Sequence, residues 1–372
     1  MKNIVLGCSL LIIALLVSCK NEHPAESSAA ITVIDTLEVK YAKGFDLLEI
    51  NDGYRIRIFN PWPGSKDTLQ LDVNRQATVG DVQIPVQKFI ATSTTHIPPL
   101  VLLKETDRLI GFPDTDYISS PVMRKRIDAG NVEDLGSNET VNLERTISLV
   151  PDLVMGYGID ADNPLYQSMM ESGIPVLYNA DWTEDHPLGR AEWIKVFGVL
   201  FDKEKEAYEI FNRIESDYLA AKARVKDLEK PTVIAGATWK DVWYLPYGNS
   251  WQGTLINDAG GDYIYKHTEG SGSLSYNLER VLTDAQQADY WIAPGQYTSY
   301  SKMLADNLSY QRFKAFQEQR LYTFALGTGA TGGVIYYEEA SMRPDLVLKD
   351  LITIFHGNAT SDALYFFDPL TD

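Results

Sequence analysis

The chain has 372 residues and a formal net charge of -18 at pH 7, which disfavours nucleic acid as a partner, because a phosphate backbone is bound by Lys and Arg that displace its counterions. The same charge argues against adhesion to anionic lipid. The cysteines are Cys8 and Cys19 alone, both in the opening segment, so the rest of the chain can hold neither a disulfide nor a thiolate metal site.

That opening segment has Lys2 as its charged start, an apolar run over 4–17, and then Leu16-Val17-Ser18-Cys19. The run is too short to span a bilayer comfortably, and a small residue before a cysteine fits a cleaved export signal. The stretch resembles a bacterial lipobox. The resemblance implies that 1–18 are a signal peptide and that Cys19 is diacylated, tethering the protein to a membrane of the cell envelope on its periplasmic side. Residues 19–30 are polar and small without periodicity, a flexible linker. From about Ile31 the sequence reads as folded, with enough chain for two lobes.

Over 38–87 the pattern alternates, as in Tyr54-Arg55-Ile56-Arg57-Ile58-Phe59, turns at Asn60-Pro61-Trp62-Pro63-Gly64, and returns at 69–73, predicting a β-hairpin extension. From Lys88 the grammar changes. Short apolar strands at 88–92, 108–112, 152–155 and 176–178 alternate with helices such as 97–104 and 165–172, which implies a parallel sheet with right-handed crossovers. A long helical signal comes next, opened by Asp202 as N-cap and running to about Leu228. Its stripe of Ala207, Ile210, Phe211, Ile214, Tyr218, Ala221 and Val225 steps by three and four. Such a helix is roughly 35 to 40 Å long and can brace two lobes, permitting only a small relative motion. The pattern then restarts, with strands at 232–237, 242–245, 290–293 and 321–325 and helices at 251–259, 278–287 and 345–355. The expected fold class is α/β. Two Rossmann-like lobes with mainly parallel sheets, 31–200 and 230–372, are joined by an interlobe helix at 201–229, with a ligand cleft between them.

Asn142-Leu143-Glu144-Arg145 recurs as Asn277-Leu278-Glu279-Arg280. Each Asn can cap the helix it opens, and each helix leads to an apolar strand entered through Asp152 or Asp289 and continued by a Gly-containing loop. The copies read as equivalent positions in two related lobes. To these are added the strand-turn-helix of 89–102, Leu109-Ile110-Gly111, Pro151-Asp152-Leu153-Val154, Gly173-Ile174-Pro175-Val176, Ala259-Gly260-Gly261, and Arg343-Pro344-Asp345 running to His356. Over roughly 88–357 the chain thus resembles the periplasmic binding proteins of ferric-siderophore and cobalamin ABC importers, the group with a rigid interlobe helix. It departs from them in the hairpin extension and in Gly357, where a proline often comes after that His. The resemblance implies a monomeric substrate-binding component without an intrinsic cofactor or a catalytic residue. It would capture a metal chelate, a ferric siderophore or a corrinoid, in the cleft and deliver it to an ABC permease in the inner membrane. It also implies that Glu144 and Glu279 dock onto permease arginines. The plain alternative is that an acid in a first helical turn merely complements the dipole, worth about 0.3 to 1 kcal/mol, and both roles can hold together.

A cleft between doubly wound lobes lies at strand C-termini, where turns entering helices expose backbone donors. In the first lobe the turns at 93–96, 114–117 and 137–139 fall there, offering Thr95 and Tyr117, with Tyr157 just past its strand. In the second lobe the candidates are Trp239, Trp243, Tyr247, Trp251, Tyr297 and Tyr336, together with the glycine-rich 327–333. Aromatic faces suit a bulky, ring-rich chelate because they bury much area with few rotors to freeze. The competing reading of each is core packing, where aromatics usually lie. The glycine loop lacks the Lys-Ser/Thr ending of a P-loop and reads as a flexible cleft edge. His96, His186 and His267 have no paired spacing, and His23 and His356 sit near the ends, so no metal ligand is assigned. Few Arg or Lys fall in these turns, and Arg124-Lys125-Arg126 reads as a solvated face. A near-neutral siderophore or a corrinoid is therefore easier to accommodate than an anionic catecholate. Among rival classes, an enzyme finds no Gly-x-Ser-x-Gly elbow or His-Glu-x-x-His helix here. A membrane-tethered scavenger or sensor would keep the pocket and dispense with the permease, and a Zn/Mn-binding protein would need ligands assembled in space.

Overall fold

The protein is described by a computed structural model over residues 32–76, 81–138, 140–159, 163–357 and 363–372. The signal segment with Cys19, the linker with His23, and Glu139 lie outside the described residues.

The predicted hairpin extension is a five-stranded sheet in chain order: Val33–Thr36, Phe45–Ile50, Gly53–Phe59, Thr68–Asn74 and Val82–Gln83. Its pairs are antiparallel except the last. Alternation drives it. Phe45, Leu47, Ile56 and Ile58 are buried in the core shared with the first lobe, while Arg55 and Arg57 on the other face pair across strands with Asp72 and Asp46. Two buried carboxylates fasten the sheet to the first lobe. Glu192 accepts the amides of Lys40, Tyr41 and Ala42 at 2.8, 2.7 and 2.9 Å and the ammonium of Lys195 at 2.6 Å. Glu184 accepts the amides of Lys43 and Gly44 and the indole N–H of Trp193.

The first lobe is a parallel sheet in the order Val176–Tyr178, Leu153–Gly156, Phe89–Ala91, Leu109–Phe112, Glu133–Asp134. The second has the same plan around its opening strand, in the order Asp262–Tyr263, Thr232–Ala235, Tyr290–Ile292, Leu321–Thr323, with Asp368–Pro369 added antiparallel at the edge. In both lobes the opening strand lies between the second strand and the strand led by Asp152 or Asp289. The two aspartates do the same job. Asp152 accepts the amide of Lys88 at 2.9 Å and Asp289 that of Thr232 at 2.9 Å, each clamping the entrance of the opening strand.

Val242–Pro246 departs from the expected parallel plan. It forms a separate antiparallel sheet with Ala237–Trp239 and Ser273–Asn277. The cause is a two-residue reversal at Lys240 and Asp241, both with positive φ (49° and 66°), the geometry of a tight hairpin turn.

The interlobe helix spans Glu204–Arg224, 21 residues or about 31 Å, shorter than expected at both ends. Asp202 is not its cap. Its backbone is left-handed (φ 56°) and its carboxylate is held by Arg75 at 2.8 Å, so the helix opens at Lys203 without a side-chain cap. Its buried stripe is Ala207, Phe211, Ile214, Tyr218 and Ala221. The helix packs on Ile194–Leu200 of the first lobe and on Pro344–His356 of the second. Near its end Tyr218 donates to Asp258 at 2.8 Å, and Lys222 pairs with the same carboxylate.

Candidate functional site

In each lobe the strand order reverses at the opening strand, which leaves a crevice beyond the strand C-termini. A cavity lies at each crevice. The larger, about 1830 Å³, reaches from the second-lobe crevice at Ala235, Gly236, Ile292 and Ala293 to the loop of the N-terminal sheet and to Trp182–Arg190. The smaller, about 250 Å³, lies at the first-lobe crevice among Thr92, Ser93, Phe112 and Asn138. Tyr337 lines both. Small-molecule pockets run about 300–1,000 Å³, so the larger cavity has room for a bulky guest.

The candidate contacts divide accordingly. Trp239, 67% exposed, Trp251 and Tyr336 line the large cavity, and so does Tyr297. Tyr117 and Tyr157 line the small one. Three candidates line neither. Trp243 is a core residue: strand alternation turns it inward to stack on Trp291 at 5.1 Å and donate to the carbonyl of Ala235 at 3.0 Å, while its neighbour Tyr244 faces the cavity. Tyr247 packs against the core over Gly270. Thr95 shares its hydroxyl with Ser93 at 3.0 Å. His96, from the same turn, is fully buried with neither ring nitrogen hydrogen-bonded among the described residues, and burial pulls its pKa down to about 3.

Other wall residues belong to stretches that the sequence offers no reason to choose. Trp62 stands in what reads as a plain hairpin turn, and Trp182 and Arg190 come after the first lobe's edge strand. An aromatic in an otherwise polar turn was the available hint for Trp62; Arg190 carried none. Its guanidinium lies over the Trp251 ring at 4.5 Å. Trp251 stacks toward Tyr336, and Tyr336 lies on Phe324 at 4.5 Å and 8°, a column that runs from one lobe into the other. Arg190 donates to the carbonyls of Trp182 and Glu184 at 2.5 and 3.2 Å. Burial lowers its pKa to about 10, with nearby Asp181 acting in the opposite direction. Lys43, Lys66 and Lys302 also line the cavity, against Glu184, Asp185 and Asp306. The cavity is therefore richer in cations than the turns alone suggest. The Arg124-Lys125-Arg126 run stays outside it: Arg124 pairs with Asp128 and Arg126 with Asp107.

The glycine-rich stretch is a strap across the lobes. The Thr331 hydroxyl donates to the carbonyl of Asp116 at 2.7 Å, and Ser119 Oγ donates to that of Gly333 at 2.9 Å. A Cβ on Gly333 would sit 2.3 Å from the carbonyl oxygen of Tyr117, so only glycine permits this approach. Behind the strap Glu338, 1% exposed, accepts the amides of Ser119 and Ser120, and burial pushes its carboxyl up to about 7.

Asn142 and Asn277 each cap their helix, accepting the amides of Arg145 and Arg280 at 2.9 Å. The next acids, Glu144 and Glu279, are both exposed in the first turn.

Two lobes of one topology, a bracing helix and an interlobe cavity define a two-lobe solute-binding fold. The chain belongs to the periplasmic binding protein family, whose profile matches residues 90–325. It is 26% identical over 351 residues to an uncharacterised lipoprotein of Methanocaldococcus jannaschii, covering 86% of this chain and 82% of that one. Among solved structures it resembles a possible iron-binding periplasmic solute-binding protein from Staphylococcus epidermidis (TM-score 0.55, 18% identity, 73% of this chain and 98% of that chain). A periplasmic haem-binding protein from Pseudomonas aeruginosa is similar in the same degree (TM-score 0.56, 15% identity, 77% and 99%).

Proposed function

We propose that this chain is the solute-binding component of an ABC importer, holding a metal chelate in the interlobe cavity and handing it to a membrane permease. The observation that carries the reading is the cavity of about 1830 Å³ with Trp239, Trp251, Tyr297 and Tyr336 on its walls. Its size and aromatic faces suit a bulky ring-rich guest that brings its own metal ligands.

In this reading Cys19 carries the lipid anchor and Glu144 and Glu279 meet permease arginines. Exposure of both acids at matching positions of the two lobes supports the second role. Exposed ion pairs contribute only about 0 to 1 kcal/mol each, so docking is steered and reversible, as delivery requires. The test is the double charge reversal Glu144→Lys with Glu279→Lys, assayed for chelate affinity in vitro and for uptake in cells that depend on this chain. Uptake should be lost while affinity is kept. Unchanged uptake would instead favour a tethered scavenger or sensor.

A further inference from the structure

The family match begins at residue 90, yet one wall of the large cavity comes from before it. The loop that joins Gly53–Phe59 to Thr68–Asn74 lines the cavity along its length. It is a built loop. The amide of Asn60 donates to the carbonyl of Asp67 at 3.0 Å, and that of Ser65 to the carbonyl of Trp62 at 3.0 Å. Trp62 seats it on the first lobe, edge-on to Tyr178 at 5.8 Å and so close to Gly158 that a Cβ there would come within 3.0 Å of its ring.

The charges of the cavity sort into satisfied and unsatisfied. Glu184 is taken up by backbone amides, Asp185 lies 3.8 Å from Lys43, and Lys302 donates to Thr298 at 2.7 Å. Asp306 remains as an acid near Tyr297. Three cavity cations, Lys302, Arg190 and Lys66, are without a carboxylate in ion-pair contact among the described residues. Arg190 bonds to carbonyls and lies over Trp251, and Lys66, exposed, is carried by the loop itself. Asp181 offsets part of the charge of Arg190 from beyond ion-pair distance, and the guanidinium, bonded to two carbonyls and lying over an aromatic face, keeps N–H donors for an anion in the cavity.

We propose that the N-terminal sheet is a ligand-selecting element, and that the site takes an anionic chelate whose flat body lies on the tryptophan walls and whose acidic arm is drawn to Arg190 and Lys66. The inference rests on the reading of the cavity as a chelate site and adds to it the class of chelate and the part of the chain that chooses it.

The test is isothermal titration of the full chain in detergent. The anionic probes are haemin and a ferric tris-catecholate, and the neutral ones are haemin dimethyl ester, a ferric hydroxamate and cyanocobalamin. An anionic probe should bind at least about tenfold more tightly than every neutral one. Arg190→Gln should weaken that probe about thirtyfold or more, as loss of a partly desolvated charge partner does, with the neutral probes little changed. Trp62→Ala should weaken it while the melting temperature shows the chain still folded. Should either variant fail to fold, Lys66→Glu on the exposed loop reads the same charge, with a loss of about threefold. Tightest binding by a neutral probe, or indifference of the anionic probe to the folded variants, overturns this inference and leaves the chelate reading standing. Binding of no chelate at all brings down both.

Discussion

Glu338 buries a carboxylate where the strap of one lobe meets residues 119 and 120 of the other. Its folded pKa of about 7 lies above the ordinary carboxylate range, and desolvation is the main cause. Linkage sets the sign. Between about pH 4.5 and 7 the folded chain keeps a proton that the unfolded chain has released, so this group's contribution is complete below that window and is lost as pH rises through it. The shift corresponds to about 3 kcal/mol. Asp181, Glu184 and Asp350 are also raised by burial and act in the same direction. His96, depressed to about 3 and opposite in sign, gains with pH up to its unfolded value. Glu338→Gln should therefore be compared with the unaltered chain by urea unfolding at pH 5 and pH 8. The variant's difference between the two pH values should be less negative on going from 5 to 8. An equal pH dependence in both proteins would mean that Glu338 is ionised in the fold throughout.

At the scale of elements, the N-terminal sheet is welded to the first lobe through Glu192. That carboxylate is fully buried and serves three amides of 40–42 and the buried ammonium of Lys195, which lies against the rings of Tyr208 and Phe211 on the interlobe helix. One side chain thus couples the sheet, the helix after it and the bracing rod. Truncating one partner of such a pair leaves the other charge buried and unpaired, at about 3 to 5 kcal/mol. Glu192→Ala should lower the free energy of unfolding by that amount, read from chemical denaturation. A loss below about 1 kcal/mol, the size of a surface pair, would show that the sheet is attached by apolar packing instead. The separate sheet of Ala237–Trp239, Val242–Pro246 and Ser273–Asn277 makes a complementary point. A Lys-Asp turn with both residues at positive φ created it, and of the two only Asp241 belongs to a residue type that favours such backbone, a weaker signal than Asn-Gly.

Among the described residues the lobes are joined, besides other contacts, by the helix Glu204–Arg224, by the strap with Glu338, and by Arg190 over Trp251. The last two would have to break for a wide hinge opening. Ligand should therefore enter from the side of the N-terminal loop with little relative movement of the lobes. Small-angle scattering of the chain, alone and saturated with whichever chelate binds, should give the same radius of gyration. A contraction on saturation would mean that these joins open and close with the ligand.

Where residues three or four apart decide the outcome, the sequence by itself was enough. The asparagine caps at 142 and 277, the strands that come after their helices and the buried stripe of the long helix come from local periodicity and short-range side-chain-to-backbone bonds, whereas the clamps of Asp152 on Lys88 and of Asp289 on Thr232 join residues far apart in the chain. The two-lobe α/β plan came from repeating that local pattern. The walls of the cavity were decided only by the tertiary structure. Residues 62, 190 and 251 line one cavity because three elements far apart in the chain pack together. Whether Trp243 or Tyr244 faces a ligand depends on which side of one strand the core occupies. Local pattern carries no record of such juxtapositions, because the forces that set them are burial and charge compensation between segments far apart in the chain.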